Sequence, residues 1–309
     1  MMDDADFRLL AHLFRDPFAS YRELGQELAL SGPAARNRLE RLAESGVLRG
    51  FQVLPSAEVM GRTHVMWEYP EPRERPESSK VLTIEDVAWA VEWHDNSWTV
   101  HAFVRRPRER PPATLDALMG APGRAAHPLA ETDPGVADPD AVLSPLDWRL
   151  IAALATEPRA TAVRLAQESG LSPKSVRARR AALVERGRLQ VIPRVAYAAS
   201  RGVILFDLLV MLSRPADEPS IRRMIPTGVL LRANRSPPSG FFFCRADSVH
   251  AISDLERRVA GLPGVSRVVS RFPKSREYAG DRIRAWVDAK NEEWAQARRP
   301  RPVPPATQG

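Results

Sequence analysis

The stretch Asp6-Phe7-Arg8-Leu9-Leu10-Ala11-His12-Leu13 returns 141 residues later as Asp147-Trp148-Arg149-Leu150-Ile151-Ala152-Ala153-Leu154. The register then holds without a gap through Pro17/Pro158, Leu24/Leu165, Gln26/Gln167, Leu30/Leu171 and Ser31/Ser172. It continues through Arg36/Arg177, Arg38/Arg179, Leu42/Leu183, Gly46/Gly187 and Leu48/Leu189. After a short deletion, Gln52-Val53-Leu54-Pro55 meets Gln190-Val191-Ile192-Pro193. Chance similarity does not keep one register over such a span, so the chain is a tandem duplication.

Each copy reads as three short helices and an apolar strand pair. Phe7, Leu10 and Leu13 recur at helical spacing, and Asp16-Pro17 ends that helix. Tyr21 to Leu28 is predicted as a second helix, with Ser20 and Glu23 spaced as a capping box. Ser31 caps a third helix from Gly32 to Glu44, whose inner face is Ala35, Leu39 and Leu42. Gly46 stops it at the left-handed position. Val47 to Pro55 is expected to form a wing hairpin. Copy two repeats the plan with Thr161 and Arg164, Ser172 and Pro173, and Gly187. Helix, helix, tight turn, helix and wing is a winged helix-turn-helix, whose third helix fits the major groove of duplex DNA. The same trihelical unit also serves in some proteins for protein contacts alone.

Asp6 to Leu48 and Asp147 to Leu189 resemble the DNA-binding domain of the leucine-responsive regulator (Lrp/AsnC) family. The resemblance rests on the opening Asp-x-x-Leu-Leu/Ile, the Leu-Ser at the turn, the Arg within the third helix and the closing Leu-x-x-x-Gly-x-Leu. It implies an α+β chain: two winged helix-turn-helix domains, each followed by a ferredoxin-like β-α-β-β-α-β sensor domain. Strand and helix patterns after each copy fit that order, more fully in the second half. The expected divisions are a winged helix at 1–55, a degenerate sensor domain at 56–130, a linker at 131–145, a winged helix at 146–195 and a sensor domain at 196–273. A basic helical and Pro-rich tail follows at 274–309, with a helix from about Gly280 to Ala297. Pro70 to Ser79 reads as a loop.

The charge balance agrees with a polyanionic partner. Lys and Arg number 45 against 38 Asp and Glu, a net charge of +7 and a sequence pI near 10.1. One cysteine, Cys244, excludes a disulfide framework and a Cys-based zinc finger. No signal peptide and no membrane-spanning run are recognisable, so a cytoplasmic protein is expected. The expected partner is double-stranded DNA. Ala34, Arg36 and Asn37 in copy one and Lys174, Ser175 and Arg177 in copy two are the expected base readers, with Arg41 flanking. Arg suits guanine and Asn suits adenine in the major groove. Ser31, Ser172, Arg38 and Arg179 are placed for phosphates. At position 180 an Arg stands where copy one has the inward Leu39.

The resemblance also implies self-association through the sensor domains and a small-molecule effector bound between neighbouring dimers. The family's Gly-Asp-x-Asp-like turn is absent at His94-Asp95-Asn96-Ser97 and at Asn234 to Ser239, so amino-acid sensing is expected to be lost or altered. His94 and His101 flank one hairpin, but a polar strand rim accounts for them better than a metal site. No enzymatic motif, cofactor or metal is expected. Two alternatives stay open. One is an enzyme of the siroheme decarboxylase type, which has the same paired architecture and would need a His- and Arg-lined pocket in the sensor domains. The other is a winged-helix interaction module without DNA.

Overall fold

The computed structural model describes residues 1–106, 110–126, 142–235 and 237–297. Most of the expected linker and the Pro-rich end lie outside these residues.

The first winged helix consists of α1 (Asp4–Arg15), α2 (Tyr21–Glu27), α3 (Gly32–Glu44) and strand β1 (Leu48–Pro55). Reciprocal capping boxes start α1 at Asp3/Asp6 and α2 at Ser20/Glu23, and Ser31 caps α3 through the Ala34 N–H. A first sensor domain follows as β2 (Thr63–Tyr69), α4 (Ser78–Thr83), β3 (Val87–Trp93), β4 (Trp98–Val104), α5 (Ala113–Met119) and β5 (Arg124–Ala126). The helix α4 occupies the end of the segment expected to be a loop. Val81, fully buried against the sheet, anchors it.

The second winged helix is α6 (Pro145–Thr156), α7 (Ala162–Ser169), α8 (Pro173–Glu185) and β6 (Leu189–Val195). Its sensor domain is β7 (Ile204–Leu212), α9 (Glu218–Met224), β8 (Val229–Arg235), β9 (Pro238–Ala246), α10 (Val249–Ala260) and β10 (Val265–Arg271). Strand β11 (Pro273–Tyr278) and helix α11 (Gly280–Ala297) close the described chain.

The two sensor sheets share one topology. The second runs β10-β7-β9-β8, and the first runs β5-β2-β4-β3 in the matching order, with β11 added beside β3. The first sensor domain is therefore complete in its strands, although its sequence is the thinner of the two. Two expectations are corrected here. Residues 274–278, expected in the tail, form with Pro273 a strand of the first sheet. And neither copy forms a wing hairpin: β1 pairs antiparallel with β6, from Leu48↔Val195 to Pro55↔Leu189. At Gly50, with φ of +100°, the first strand bulges instead of turning back. The apolar residues expected to face a hairpin partner in their own copy thus meet the other copy.

Packing is also crossed between the halves. Phe7 and Phe14 of α1 rest on Phe243 of the second sensor sheet at 5.2 and 5.1 Å between ring centroids. The second winged helix packs on Val53 and Met60 of the first half and on Val287 of α11. Each sheet buries its other face under its own two helices, Phe206, Phe242 and Ile252 in one case and Trp67, Trp98 and Leu115 in the other. Apolar burial on both faces is the main stabilising term, at about 25 cal/mol per Å².

The duplication contains its own control. Ala29 sits in the turn before α3 with φ of +54°, and its counterpart Gly170 has φ of +71°. A left-handed alanine costs about 1 kcal/mol that glycine avoids, less the extra freedom of glycine in the unfolded chain. Ala29→Gly should therefore stabilise, and Gly170→Ala destabilise, by about 0.5 kcal/mol each. Thermal melts of the two variants check the opposite signs.

Candidate nucleic-acid interface and an interdomain cavity

The third helices are built alike and decorated differently. Ala35, Leu39 and Leu42 fix α3 inward, and Val176 and Leu183 fix α8. That leaves Ser31, Arg36, Asn37 and Arg41 exposed on one and Ser172, Lys174 and Arg177 exposed on the other, with Ala34 and Ser175 half-buried between them. Arg36 is held by Glu40 at 2.8 Å, one helical turn on. At the same offset from Arg177 stands Ala181, so the second copy lacks this carboxylate. Ser172 and Ser175 hydroxyls lie 2.9 Å apart at the start of α8.

Arg38 and Arg179 are engaged within the fold. Arg38 Nη1 donates to Asp3 and to Asp6, the two carboxylates of the α1 capping box, at 2.8 and 2.7 Å. Arg179 Nη1 donates to Asp147 and Ser144 of the α6 capping box at 2.7 and 3.1 Å. Burial opposes ionisation of Asp3 and Asp147. The hydrogen bonds from Arg38 to Asp3, and from Ser144 and Arg179 to Asp147, outweigh it and hold both carboxyls below the usual range. These arginines pin the third helix of each copy to the first. The repeat carried that signal, because both partners recur at the 141-residue offset.

Arg180 resolves the one departure from the repeat. Its guanidinium stacks on Phe18 of the first winged helix at 3.9 Å from the ring centroid. Arg159 crosses the same seam, donating to the Ala19 carbonyl at 2.6 Å and lying over Tyr21 and Phe51. Arg159 and Phe18 occupy the same repeat position. The seam between the winged helices is therefore asymmetric, with cations from copy two on rings from copy one.

A second feature was not visible as a motif. The inner faces of the two sensor sheets, with strand β6, border an open cleft of about 380 Å³. Trp89, Trp93 and His101 line it from the first sheet, and Arg232, Phe241 and Arg271 from the second. Strand β11 adds Arg276 and Tyr278, and the ends of α1 and α8 reach its rim through Phe14 and Val184. His101 stacks on Trp89 at 4.2 Å, and its Nδ1 lies 3.0 Å from Nε2 of His64, not beside His94. Burial, followed by the charges of His64, Arg232 and Arg276, keeps the His101 imidazole neutral at ordinary pH. The sensor domains thus hold a His and Arg cluster after all, drawn from four strands with no local spacing pattern.

Arg276 spans the two sheets. It donates from β11 to Asp207 of β7, a fully buried carboxylate, and Tyr197 donates its hydroxyl to the same group at 2.7 Å. Burial pushes the Asp207 carboxyl up, against the pull of Arg276.

Comparison with known proteins agrees with the reading of the duplication. The profile of a family described as winged helix-turn-helix DNA-binding matches residues 2–49 and again 143–190. Both copies are winged helix-turn-helix domains. The HTH-type transcriptional regulator Rv2324 of Mycobacterium tuberculosis is 38% identical over 60 residues, 19% of this chain and 40% of that one. The chain thus spans less than half the length of that curated relative. Among solved structures, the leucine response regulatory protein LrpA of Mycobacterium tuberculosis aligns with 41% of this chain and 90% of its own, at 24% identity and a TM-score of 0.29. The siroheme decarboxylase NirDL aligns over 94% of this chain and 99% of its own, at 14% identity and a TM-score of 0.41. No helix among the described residues is long and apolar enough to cross a membrane.

Proposed function

We propose that this chain is a sequence-specific, double-stranded DNA-binding transcriptional regulator that acts as a covalent pseudo-dimer. The pairing of β1 with β6 carries the proposal. It joins two DNA-binding domains inside one chain, where relatives with one domain per chain need two chains to present two readers. The proposed interface is Ser31, Ala34, Arg36, Asn37 and Arg41 with Ser172, Lys174, Ser175 and Arg177. Arg38 and Arg179 are left out as direct contacts, because their guanidinium groups hold capping carboxylates. The protein acts by binding and not by catalysis, and further self-association runs through the sensor domains.

The two readers differ, so the half-sites differ. Asn37 has Ala178 as its counterpart, and Lys174 has Pro33. Selection of bound duplexes should give a non-palindromic pair of half-sites. Asn37→Ala should relax positions in one half only and Arg177→Ala in the other, each at about 1–3 kcal/mol per base pair lost. A palindromic consensus, or both variants relaxing both halves, contradicts the pseudo-dimer.

A further inference from the structure

The seam between the winged helices holds them by contacts that a dimer of identical chains could not make. Arg159 follows α6, and Arg180 stands on α8 three residues past Arg177 of the proposed interface. Both replace apolar residues of copy one, Phe18 and Leu39, at the 141-residue offset. A two-fold dimer makes every contact twice and puts the same residue at both copies of a position. Here the cation comes from one copy and the ring from the other. Leu39 cannot return the contact, because it is buried in the core of its own domain.

These cations fasten what the strands leave loose. β1 and β6 pair as a two-stranded sheet, and a two-stranded ribbon takes a wide range of twist. A change of twist swings α8 relative to α3. Arg180 ties α8 directly to the Phe18 ring, 3.9 Å away. Arg159 donates to the Ala19 carbonyl at 2.6 Å and lies 5.4 Å from the centroid of Phe51 on β1. The Tyr21 ring, at the start of α2, is 5.7 Å from Arg159 on one side and 6.0 Å from Arg36 of α3 on the other. The seam thus runs from one third helix to the other. Burial pulls both seam guanidinium groups below their ordinary range, and the Asp16 carboxylate acts in the opposite direction. A cation partly withdrawn from water holds a ring face more firmly than an exposed one.

We propose that Arg159 and Arg180 are positioning residues that fix the separation and facing of α3 and α8, and so the number of base pairs between the two half-sites. The proposal rests on the reading of the chain as a DNA-binding pseudo-dimer. Each base pair added between half-sites moves the second by about 3.4 Å and turns it by about 35° around the duplex. A rigid pair of readers therefore accepts one spacing, and a loose pair accepts several.

The test varies the spacer, one base pair at a time, between the half-sites selected by the full-length protein. The parent should lose at least about tenfold in affinity when the spacer departs from its optimum by two base pairs. Arg159→Lys/Arg180→Lys keeps both charges and gives up the planar stacking fork. It should bind across the same range within about threefold, with an unchanged salt slope. Phe18→Leu keeps every arginine and removes the ring; it should also widen the tolerated range, and it serves if the double Lys variant fails to fold. A second readout needs no DNA. Spin labels on Glu44→Cys and Glu185→Cys, exposed at the ends of α3 and α8, report the distance between those helices by double electron–electron resonance. Cys244 is buried, and burial holds its thiol well above the ordinary range, so it takes no label. The parent should show one narrow distance distribution, broadened in both variants. Variants that keep the parent's spacing preference, or distributions unchanged by the substitutions, overturn the proposal. A parent that binds duplexes yet tolerates every spacer removes the spacing role alone. A parent that selects no duplex refutes the DNA-binding reading and takes the spacing role with it.

Discussion

Replacing Arg36, Arg41, Lys174 and Arg177 together by Gln should abolish duplex binding at physiological salt and leave the fold intact. All four are exposed, and none holds a buried partner. Each phosphate contact contributes about 0.9 to the slope of log affinity against log salt, so the slope should flatten by about 3 to 4 if all four face phosphates. The two helices should not contribute equally. Arg36 must release Glu40 before it reaches DNA, and Glu40 then stands as an anion near the phosphates. Arg177 has no such partner at the same spacing. Glu40→Gln should therefore raise affinity, and the copy-two pair of substitutions should cost more than the copy-one pair. Binding that is insensitive to salt, or that survives the quadruple variant, refutes the interface on α3 and α8. Unchanged far-UV circular dichroism and an unchanged melting temperature separate lost contacts from lost structure.

The second large effect belongs to stability. Arg276→Met should destabilise the protein by about 3–5 kcal/mol, because it strands the Asp207 carboxylate in the core with the Tyr197 hydroxyl as its remaining side-chain hydrogen-bond donor among the described residues. The deficit should depend on pH with a definite sign. Burial already raises the folded-state value for Asp207, and removing Arg276 deletes the pull in the opposite direction. A carboxyl whose folded value is raised gives its full stability below the ordinary carboxylate range and loses it as pH rises through the folded value. The variant should thus be less impaired at pH 5 than at pH 8. Asp207→Asn combined with Arg276→Met should recover part of the loss, as a double-mutant cycle would show. An Arg276→Met melt within 1 °C of the parent, or a deficit that grows on acidification, contradicts the buried pair.

What the sequence made legible was local and repeated. Ser20, Ser31, Thr161 and Ser172 cap helices as their spacing implies, and Gly46 and Gly187 adopt the left-handed stop. Helix α11 runs over the residues its pattern suggested. Strand β11 stayed hidden because Lys274, Ser275, Arg276 and Glu277 carry no apolar alternation. Its inward arginine is acceptable only because Asp207, far off in the sequence, waits for it. The cleft was hidden for the same reason. His101, Arg232 and Arg271 become neighbours only when two sheets stack face to face, and no spacing rule links positions on different sheets. The Arg38 and Arg179 pairs were legible in principle, since the acid and the base of each pair persist together in both copies.

The place of β11 has a consequence for how the protein is made. A ribosome delivers the first sensor sheet early, yet its last strand arrives only after the whole second half has been synthesised. Until then β3 is an unpaired edge, with its backbone N–H and C=O groups open to any passing strand. The nascent first half is thus a sheet waiting for a strand encoded about 180 residues downstream, a contact of high sequence separation and slow closure. Translation that stalls or terminates between β10 and β11 would release a chain with every domain present and one adhesive edge uncovered. The last strand is therefore a completion signal: only a chain read past Tyr278 can seal its own beginning.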